Sequence, residues 1–238
     1  AKDIFDMASE LLSLDMRKLC FEKNDLLDKT EYTQAALVTV SMAAEHVLRE
    51  WGMTADVTAG LSLGEYCAAA SAGAFSTEDA VLMVRKRGIF MEEAVPANKG
   101  AMAAVIGLTG ARTEEVLEKI PNVWIANYNC PGQLVITGEK SAVETAGSSL
   151  KEAGTKRVIL LNVSGPFHSP MMETAGQQLA RVLENVRLHQ PVIPYVSNVT
   201  ADFVGETGEI KDLLIRQVSS LVRWQQSVEK LIAAGVDT

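Results

Sequence analysis

The chain has little of what several protein classes require. Its three cysteines are an odd number without C-x-x-C spacing, which disfavours a disulfide framework and a zinc site. No apolar run reaches the length of a membrane span, and the first residues, Ala1–Asp3, do not have the form of a signal peptide. Basic residues number 22 against 30 acidic ones, and a formal charge of −8 disfavours non-specific binding to nucleic acid or anionic membranes. These absences predict a protein of the reducing cytoplasm without nucleic-acid or membrane partners.

Enough apolar sequence is present for a large core. The chain has 238 residues, of which 47% are hydrophobic, so one large domain or one domain with an insertion is expected. Residues 98–165 read as strand, helix, two strands, helix and strand, the order of a ferredoxin-like unit. We therefore predict an α/β protein in which residues 1–97 and 166–238 form a large domain and residues 98–165 form an inserted small domain.

The pentapeptide Gly60–Gly64 has the form G-x-S-x-G, with Ser62 at its centre. It follows the apolar stretch Val57–Ala59 and opens the alanine-rich run Glu65–Ala74, so the predicted order of strand, tight turn and helix is typical of a nucleophile elbow. Glycines permit the sharp turn, and backbone N–H groups at the helix N-terminus can stabilise an oxyanion. Ser62 is therefore a candidate nucleophile, and an ordinary glycine-flanked turn is the alternative.

Arg87 falls on the apolar stripe of a predicted helix. Ser76–Asp79 has the [ST]-x-x-[DE] form of a helix N-terminal cap, and Pro96 ends the helix. A guanidinium on such a stripe needs an anion, and Gly88 would let a backbone or a ligand approach closely, at a cost of about 1 kcal/mol in helix propensity relative to alanine. Either Arg87 binds an anion, or its stem lies along the core while its head group reaches water.

His168 lies in the loop Ser164–Pro170, which two prolines stiffen. A histidine on a rigid loop after a strand is well placed to act as the general base for a serine. A loop histidine with a structural role is the alternative. The other two histidines, His46 inside a helix and His189 in a polar stretch, are expected to be structural or solvated.

Five motifs, in this order, resemble those of malonyl-CoA:acyl-carrier-protein transacylases. They are Gly60–Tyr66, the pair Arg87–Gly88, Gly100–Val105, Asn127–Gln133 and Ser164–His168. The resemblance spans essentially the whole chain, and five ordered motifs are far more specific than any one of them. It implies a hydrolase-like large domain with a parallel sheet and an inserted ferredoxin-like domain.

The resemblance also implies roles for individual residues. Ser62 is expected to take the malonyl group, with His168 as its base and later as an acid. Arg87 is expected to clamp the free carboxylate of malonate through a bidentate geometry that lysine cannot match. This family holds its histidine with a backbone carbonyl, and Gln217 matches that position. The backbone N–H of Leu63 would be one oxyanion-hole donor.

Further positions are expected to bind substrate or partner. Asn127 and Asn129 match positions beside the acyl and pantetheine channel, with a turn role as the alternative. Phe167 has the form associated with selection of malonyl over methylmalonyl groups. Lys156 and Arg157 are expected to receive the acidic carrier protein on an otherwise anionic chain, and solvated strand-end charges are the alternative.

The implied reaction moves a malonyl group from malonyl-CoA to Ser62 and then to the phosphopantetheine thiol of acyl carrier protein, in fatty-acid or polyketide synthesis, with no metal or other cofactor. A serine esterase or thioesterase of the α/β-hydrolase type is one alternative. Such enzymes place an acid between serine and histidine in chain order and give Arg87 no purpose. A non-catalytic acyl-binding fragment is the other alternative.

The sequence departs from the family pattern in two places. Leu61 stands where many members have histidine, and little effect is expected because this side chain points away from the chemistry. Family members also have a first strand with a Gly-Gln-Gly loop and a last strand with a Gly-Pro-Gly segment. The glutamine N–H of the Gly-Gln-Gly loop is the second oxyanion donor in this family. The chain is therefore expected to be an incomplete large domain without that donor, whose loss typically costs about 3 to 4 kcal/mol of transition-state stabilisation.

Overall fold

The computed structural model describes residues 1–96, 98–163 and 165–237. The chain is mixed α/β, with a parallel strand pair and an antiparallel sheet. The helices are α1 Lys2–Leu12, α2 Met16–Phe21, α3 Thr30–Glu50, α4 Gly64–Ser71, α5 Thr77–Glu93, α6 Gly110–Leu117, α7 Lys140–Glu152, α8 Glu173–Leu183, α9 Thr207–Gln217 and α10 Trp224–Ala233. The strands are β1 Thr58–Ala59, β2 Gly100–Ile106, β3 Val123–Cys130, β4 Gln133–Glu139, β5 Arg157–Leu160 and β6 Tyr195–Val196.

One compact unit consists of residues Ala1–Phe90, Gln178–Ser197 and Asp202–Leu213. Helices α1, α2 and α3 pack together, and α4 packs against α3 and against the parallel pair β1–β6. The buried faces of α3 and α4 are rich in alanine, and these small side chains allow the two helices to approach closely. The unit therefore holds the G-x-S-x-G turn between a short strand and a packed helix.

The predicted cap of α5 is present. The Ser76 hydroxyl accepts a hydrogen bond from the Asp79 N–H at 3.0 Å, and the same hydroxyl donates to the Asp79 carboxylate at 3.0 Å. This reciprocal pairing satisfies a backbone donor that the first helical turn leaves open. The cap fixes the start of α5 at Thr77 and thereby the direction in which each later side chain of the helix points.

The second compact unit consists of residues Met91–Gln177, Asn198–Ala201 and Leu214–Thr238. Its antiparallel sheet has the strand order β3–β4–β2–β5. Helices α6 and α7 pack on one face of the sheet. The apolar side chains that meet there are Ala103, Val105, Val116, Leu117, Val123, Leu134, Ile136, Val143, Ala146 and Leu150.

The other face of this sheet carries a smaller apolar cluster. Met102, Ala126 and Val135 are buried on it, and Leu161 and Phe167 pack against them. Neighbouring residues of a strand point to opposite faces, so the apolar run in β2 supplies both clusters. The second cluster thereby supports the segment that leads into the His168 loop.

The predicted order of strands and helices between residues 98 and 165 is present, with boundaries shifted by a few residues. Outside that segment, strand β6 comprises only two residues. Such ends depend on which backbone groups find partners, which a hydrophobic pattern does not specify. The three-segment division at residues 97/98 and 165/166 stays a prediction. Across the described ranges, no helix combines the length and the apolar character that crossing a membrane requires.

Candidate active site

The G-x-S-x-G turn has a strained backbone at its serine. Ser62 lies in the left-handed region, with φ 52°, directly after β1 and before α4. A Cβ atom added at Gly60 would overlap the carbonyl group of Gly64, so only glycine fits there. Non-glycine residues adopt positive φ at a cost, and such strain is concentrated at functional sites. The turn therefore presents the Ser62 hydroxyl from a fixed backbone position.

The first turn of α4 adds a hydrogen-bond donor next to Ser62. The N–H groups of Gly64, Glu65 and Tyr66 donate to the carbonyls of Leu61, Ser62 and Leu63, at 2.9, 3.1 and 3.1 Å. In the described part of the chain, no carbonyl oxygen accepts a hydrogen bond from the Leu63 N–H. An N–H at a helix N-terminus favours negative charge nearby, so Leu63 can supply one donor to an oxyanion.

Arg87 is buried beside the serine, with only 2% of its surface exposed. Its Nη2 donates to Ser62 Oγ at 3.2 Å, and its Nη1 donates to Gln34 Oε1 at 2.8 Å. This burial contradicts the alternative in which the head group reaches water. Burial lowers the pKa of Arg87, but a guanidinium remains protonated in proteins. A fixed positive charge therefore lies next to the candidate nucleophile.

Tyr66 and Gln34 hold this guanidinium in place. Its carbon lies 5.5 Å from the centroid of the Tyr66 ring, a cation–π distance. Gly88 makes the approach of α5 to α3 possible, because a Cβ atom added there would lie 2.7 Å from Glu31 Cα and 2.9 Å from the Thr30 carbonyl oxygen. The predicted close approach of a backbone at Gly88 is thus confirmed, and it brings Gln34, one turn further along α3, to Arg87.

His168 is also buried and held by the backbone. Its Nδ1 lies 2.9 Å from the Gln217 carbonyl oxygen, and the two residues are 5% and 0% exposed. A carbonyl oxygen only accepts, so Nδ1 carries the hydrogen and Nε2 of the neutral ring is left with a lone pair. His168 has φ 58°, again in the left-handed region. This is the arrangement that a general base requires.

The His168 loop rests on the start of β2. A Cβ atom added at Gly100 would overlap the ring of Pro166, so this glycine lets the loop lie against the strand. The Ser169 hydroxyl donates to the Pro166 carbonyl at 2.6 Å and closes the loop on itself. Ser164 lies outside the described residues. The loop is therefore held on both sides of His168.

Known proteins resemble this chain along almost its whole length. The model of the acyl transferase domain family matches residues 11–238. The chain belongs to this family. Malonyl CoA-acyl carrier protein transacylase of Bacillus subtilis (strain 168) is 47% identical over 243 residues, covering 100% of this chain and 77% of the relative. The enzyme of that name from Escherichia coli (strain K12) is 41% identical over 241 residues, covering 99% and 78%.

Solved structures agree with this assignment to the acyl transferase family. Malonyl CoA-acyl carrier protein transacylase from Clostridium perfringens superimposes with a TM-score of 0.95 at 41% identity, covering 99% of this chain and 76% of that one. A malonyl-transacylase solved in complex with its type II PKS acyl-carrier protein has a TM-score of 0.93 at 39% identity, covering 99% and 78%.

The remaining predicted residues of this acyl transferase lie in the second unit. Asn127 is buried in β3 where an irregularity interrupts the pairing with β4, and Asn129 is half-buried near the end of that strand. Phe167 packs on the smaller apolar cluster. Lys156 and Arg157 are exposed at the start of β5. In the described residues, no group of three His, Cys, Asp or Glu side chains could hold a metal ion.

Sequence reasoning missed Gln34 and the contribution of Tyr66. Gln34 is only 6% exposed, on a helix whose buried face includes Ala35 and Val38. A polar side chain on a buried helix face breaks the same local rule that singled out Arg87. Its partner, 53 residues away in the chain, was not visible in any local pattern.

Proposed function

We propose that the chain transfers a malonyl group from malonyl-CoA to the phosphopantetheine thiol of acyl carrier protein through a malonyl-serine intermediate, in fatty-acid or polyketide synthesis. The buried Arg87 guanidinium beside Ser62 Oγ carries this proposal, because an acyl group that ends in a free carboxylate is the substrate that a cation there would select. The names of the similar transacylases support it, as does the solved complex of one of them with its carrier protein.

In the first half-reaction, the Ser62 oxygen attacks the thioester carbonyl carbon while His168 Nε2 accepts the serine proton. The carbon–sulfur bond then breaks, and His168 returns the proton to the departing thiolate of CoA. The second half-reaction reverses these roles, with the carrier thiol attacking the malonyl ester and Ser62 leaving. CoA leaves before the carrier thiol reacts with the malonyl-serine intermediate, so the order of the reaction is ping-pong.

His168 is proposed to act without a carboxylate partner. The Gln217 carbonyl keeps the hydrogen on Nδ1 and fixes the ring, and a neutral acceptor accomplishes both without adding a second negative charge near the malonate. The Leu63 N–H is proposed to stabilise the tetrahedral oxyanion as one donor.

The remaining predicted residues are assigned to the substrate and the carrier. Asn127 and Asn129 are proposed to border the acyl and pantetheine channel, and Phe167 to favour malonyl over methylmalonyl groups. Lys156 and Arg157 are proposed to receive the acidic carrier protein. Their exposure at the start of an edge strand supports this role.

The finer fold assignment belongs to the same proposal. The β-α-β-β-α-β order and the central antiparallel pair β4–β2 support a ferredoxin-like small domain at residues 98–165. The strand–elbow–helix arrangement at β1 and α4 supports a hydrolase-like large domain at residues 1–97 and 166–238. The charge and the cysteine pattern are consistent with a cytoplasmic protein.

Mass spectrometry after incubation with malonyl-CoA tests the function. A malonyl adduct on Ser62 that is stable until carrier protein is added supports transacylation. Rapid release of malonate without carrier protein would instead indicate a thioesterase or esterase. No adduct in wild-type protein, as in Ser62→Ala, would indicate an acyl-binding fragment without catalysis.

A further inference from the structure

An open cavity of about 490 Å³ lies along α5 and α8 in the first compact unit. Its volume falls within the range of roughly 300–1,000 Å³ that small-molecule sites occupy. Apolar side chains from both helices line it, and none of them takes part in the proposed reaction. They are Leu82, Met83 and Phe90 of α5, Val182 of α8, and Val186 just after α8.

Two cations border this α5–α8 cavity. Lys86 and Arg181 line it and are exposed, and neither forms an ion pair with a described residue. Asp79, the one carboxylate in the lining, accepts the hydrogen bond from the Ser76 hydroxyl in the cap of α5. The cavity therefore has a local excess of positive charge on a chain whose net charge is −8.

We propose that the α5–α8 cavity binds an aliphatic carboxylate, with its carbon chain on the apolar side chains and its head group between Lys86 and Arg181. A small inorganic anion would leave the apolar lining in water. A folded protein partner would need about 20–30 residues on each side, far more than border this cavity. An aliphatic carboxylate matches both the apolar lining and the charge.

The site is distinct from the proposed reaction, although α5 connects them. Arg87 follows Lys86 directly, and it is buried while Lys86 is exposed. A ligand that binds only the folded protein raises its melting temperature, so occupancy can be detected without an activity measurement. The outcome is therefore independent of whether Ser62 is acylated.

Decanoate, kept below its micelle-forming concentration, is the probe for calorimetric titration and thermal melting of the full chain. We expect saturable binding at one site and a higher melting temperature. Decanol, which lacks the charge, should bind about tenfold more weakly, and acetate, which lacks the chain, should not bind detectably. Binding that does not saturate, or decanol binding as well as decanoate, would overturn the proposal.

Substitution locates the site. The double variant Lys86→Gln/Arg181→Gln should lose at least about tenfold in affinity for decanoate, because it removes both charge-assisted contacts. Both side chains are exposed, so the fold should tolerate the change. The matched control Arg187→Gln removes an exposed cation of the same unit that does not line the cavity, and it should bind as the wild type does. Equal affinity in the double variant and the control, or binding of an acidic helical peptide but not decanoate, would refute the assignment.

Discussion

At the residue scale, the proposed selection of malonyl groups depends on a charge that the protein buries. Arg87 donates to Gln34 and to Ser62, so its head group is oriented before substrate arrives. A guanidinium held in this way can form paired hydrogen bonds to a carboxylate with little further loss of side-chain freedom. A neutral acyl group gains nothing from it.

Replacing Arg87 with alanine should therefore lower malonyl loading of Ser62 by roughly 10- to 150-fold, the equivalent of one charge-assisted interaction of about 1.5 to 3 kcal/mol. Acetyl loading should stay equal or rise. Single-turnover loading from malonyl-CoA and acetyl-CoA measures the two rates. Arg87→Lys is the matched control, because it keeps the charge but loses the paired geometry, and it should fall between the two proteins. An equal loss for both acyl groups would show that Arg87 has no part in selection.

Cysteine reactivity at the same scale should depend on burial. Burial is the main cause that raises the pKa of Cys67 to about 11, whereas Cys130 is exposed. Only the thiolate reacts with iodoacetamide, so labelling of Cys67 should be slow at pH 8 and should increase as the pH rises toward 11. Peptide mass spectrometry gives the rate at each cysteine.

Labelling in urea is the control for this comparison, because unfolding removes the burial and the two thiols should then react at similar rates. Fast labelling of Cys67 in the folded protein at pH 8 would contradict the protected environment that the structure gives it.

At the element scale, Gly88 controls how closely α5 approaches α3. In a typical helix, changing glycine to alanine stabilises by about 1 kcal/mol. At Gly88 the added methyl group would meet the backbone of Glu31 at 2.7 Å, and backbone cannot move aside as a flexible side chain can. The steric cost exceeds the propensity gain.

We expect Gly88→Ala to lower the free energy of unfolding by about 1 to 3 kcal/mol, in the range of overpacked sites. It should also reduce malonyl loading more than acetyl loading, because separating α5 from α3 moves Arg87 away from Gln34. Urea denaturation and the same loading assays measure both effects. Gly208→Ala is the matched control, since it lies in α9 with nothing within 4 Å of the added carbon, and it should be neutral or slightly stabilising. Stabilisation by Gly88→Ala would refute the proposed role.

At the scale of the whole molecule, net charge determines how a carrier protein can approach. A chain with charge −8 repels an acidic partner except at local basic positions, and Lys156 and Arg157 form one such position. Electrostatic attraction of this kind acts mainly on the association rate.

Reversing both charges, as Lys156→Glu/Arg157→Glu, should slow malonyl transfer to carrier protein and leave loading from malonyl-CoA nearly unchanged. The wild-type transfer rate should also fall as salt rises, because such charges are screened over about 8 Å at physiological ionic strength. Stopped-flow transfer at several salt concentrations tests this, with Lys211→Glu, a cation elsewhere in the chain, as the control. An unchanged transfer rate in the double variant would remove this pair from the docking surface.

Local sequence determined the parts of this protein that depend on neighbours in the chain. The Gly60–Gly64 turn, the Ser76–Asp79 cap and the β-α-β-β-α-β order follow from turn chemistry, capping and hydrophobic periodicity, which act over a few residues. Arg87 was identified because a charge on an apolar stripe violates such a local pattern. The sequence also suggested Gln217 as the partner of His168, but only through the resemblance of the whole chain to a family.

Only the tertiary structure decided how these residues are held. Gln34 reaches Arg87 across 53 residues, and Gln217 reaches His168 across 49, so no local pattern could pair them. Burial of Arg87, the contact of Gly88 with Glu31 and the support of Pro166 by Gly100 likewise exist only after distant segments pack. Local preferences are properties of a short stretch of chain, whereas orientation and burial depend on contacts between segments far apart in sequence. Local residue patterns could therefore identify the candidate nucleophile and base, but not the neighbours that orient them.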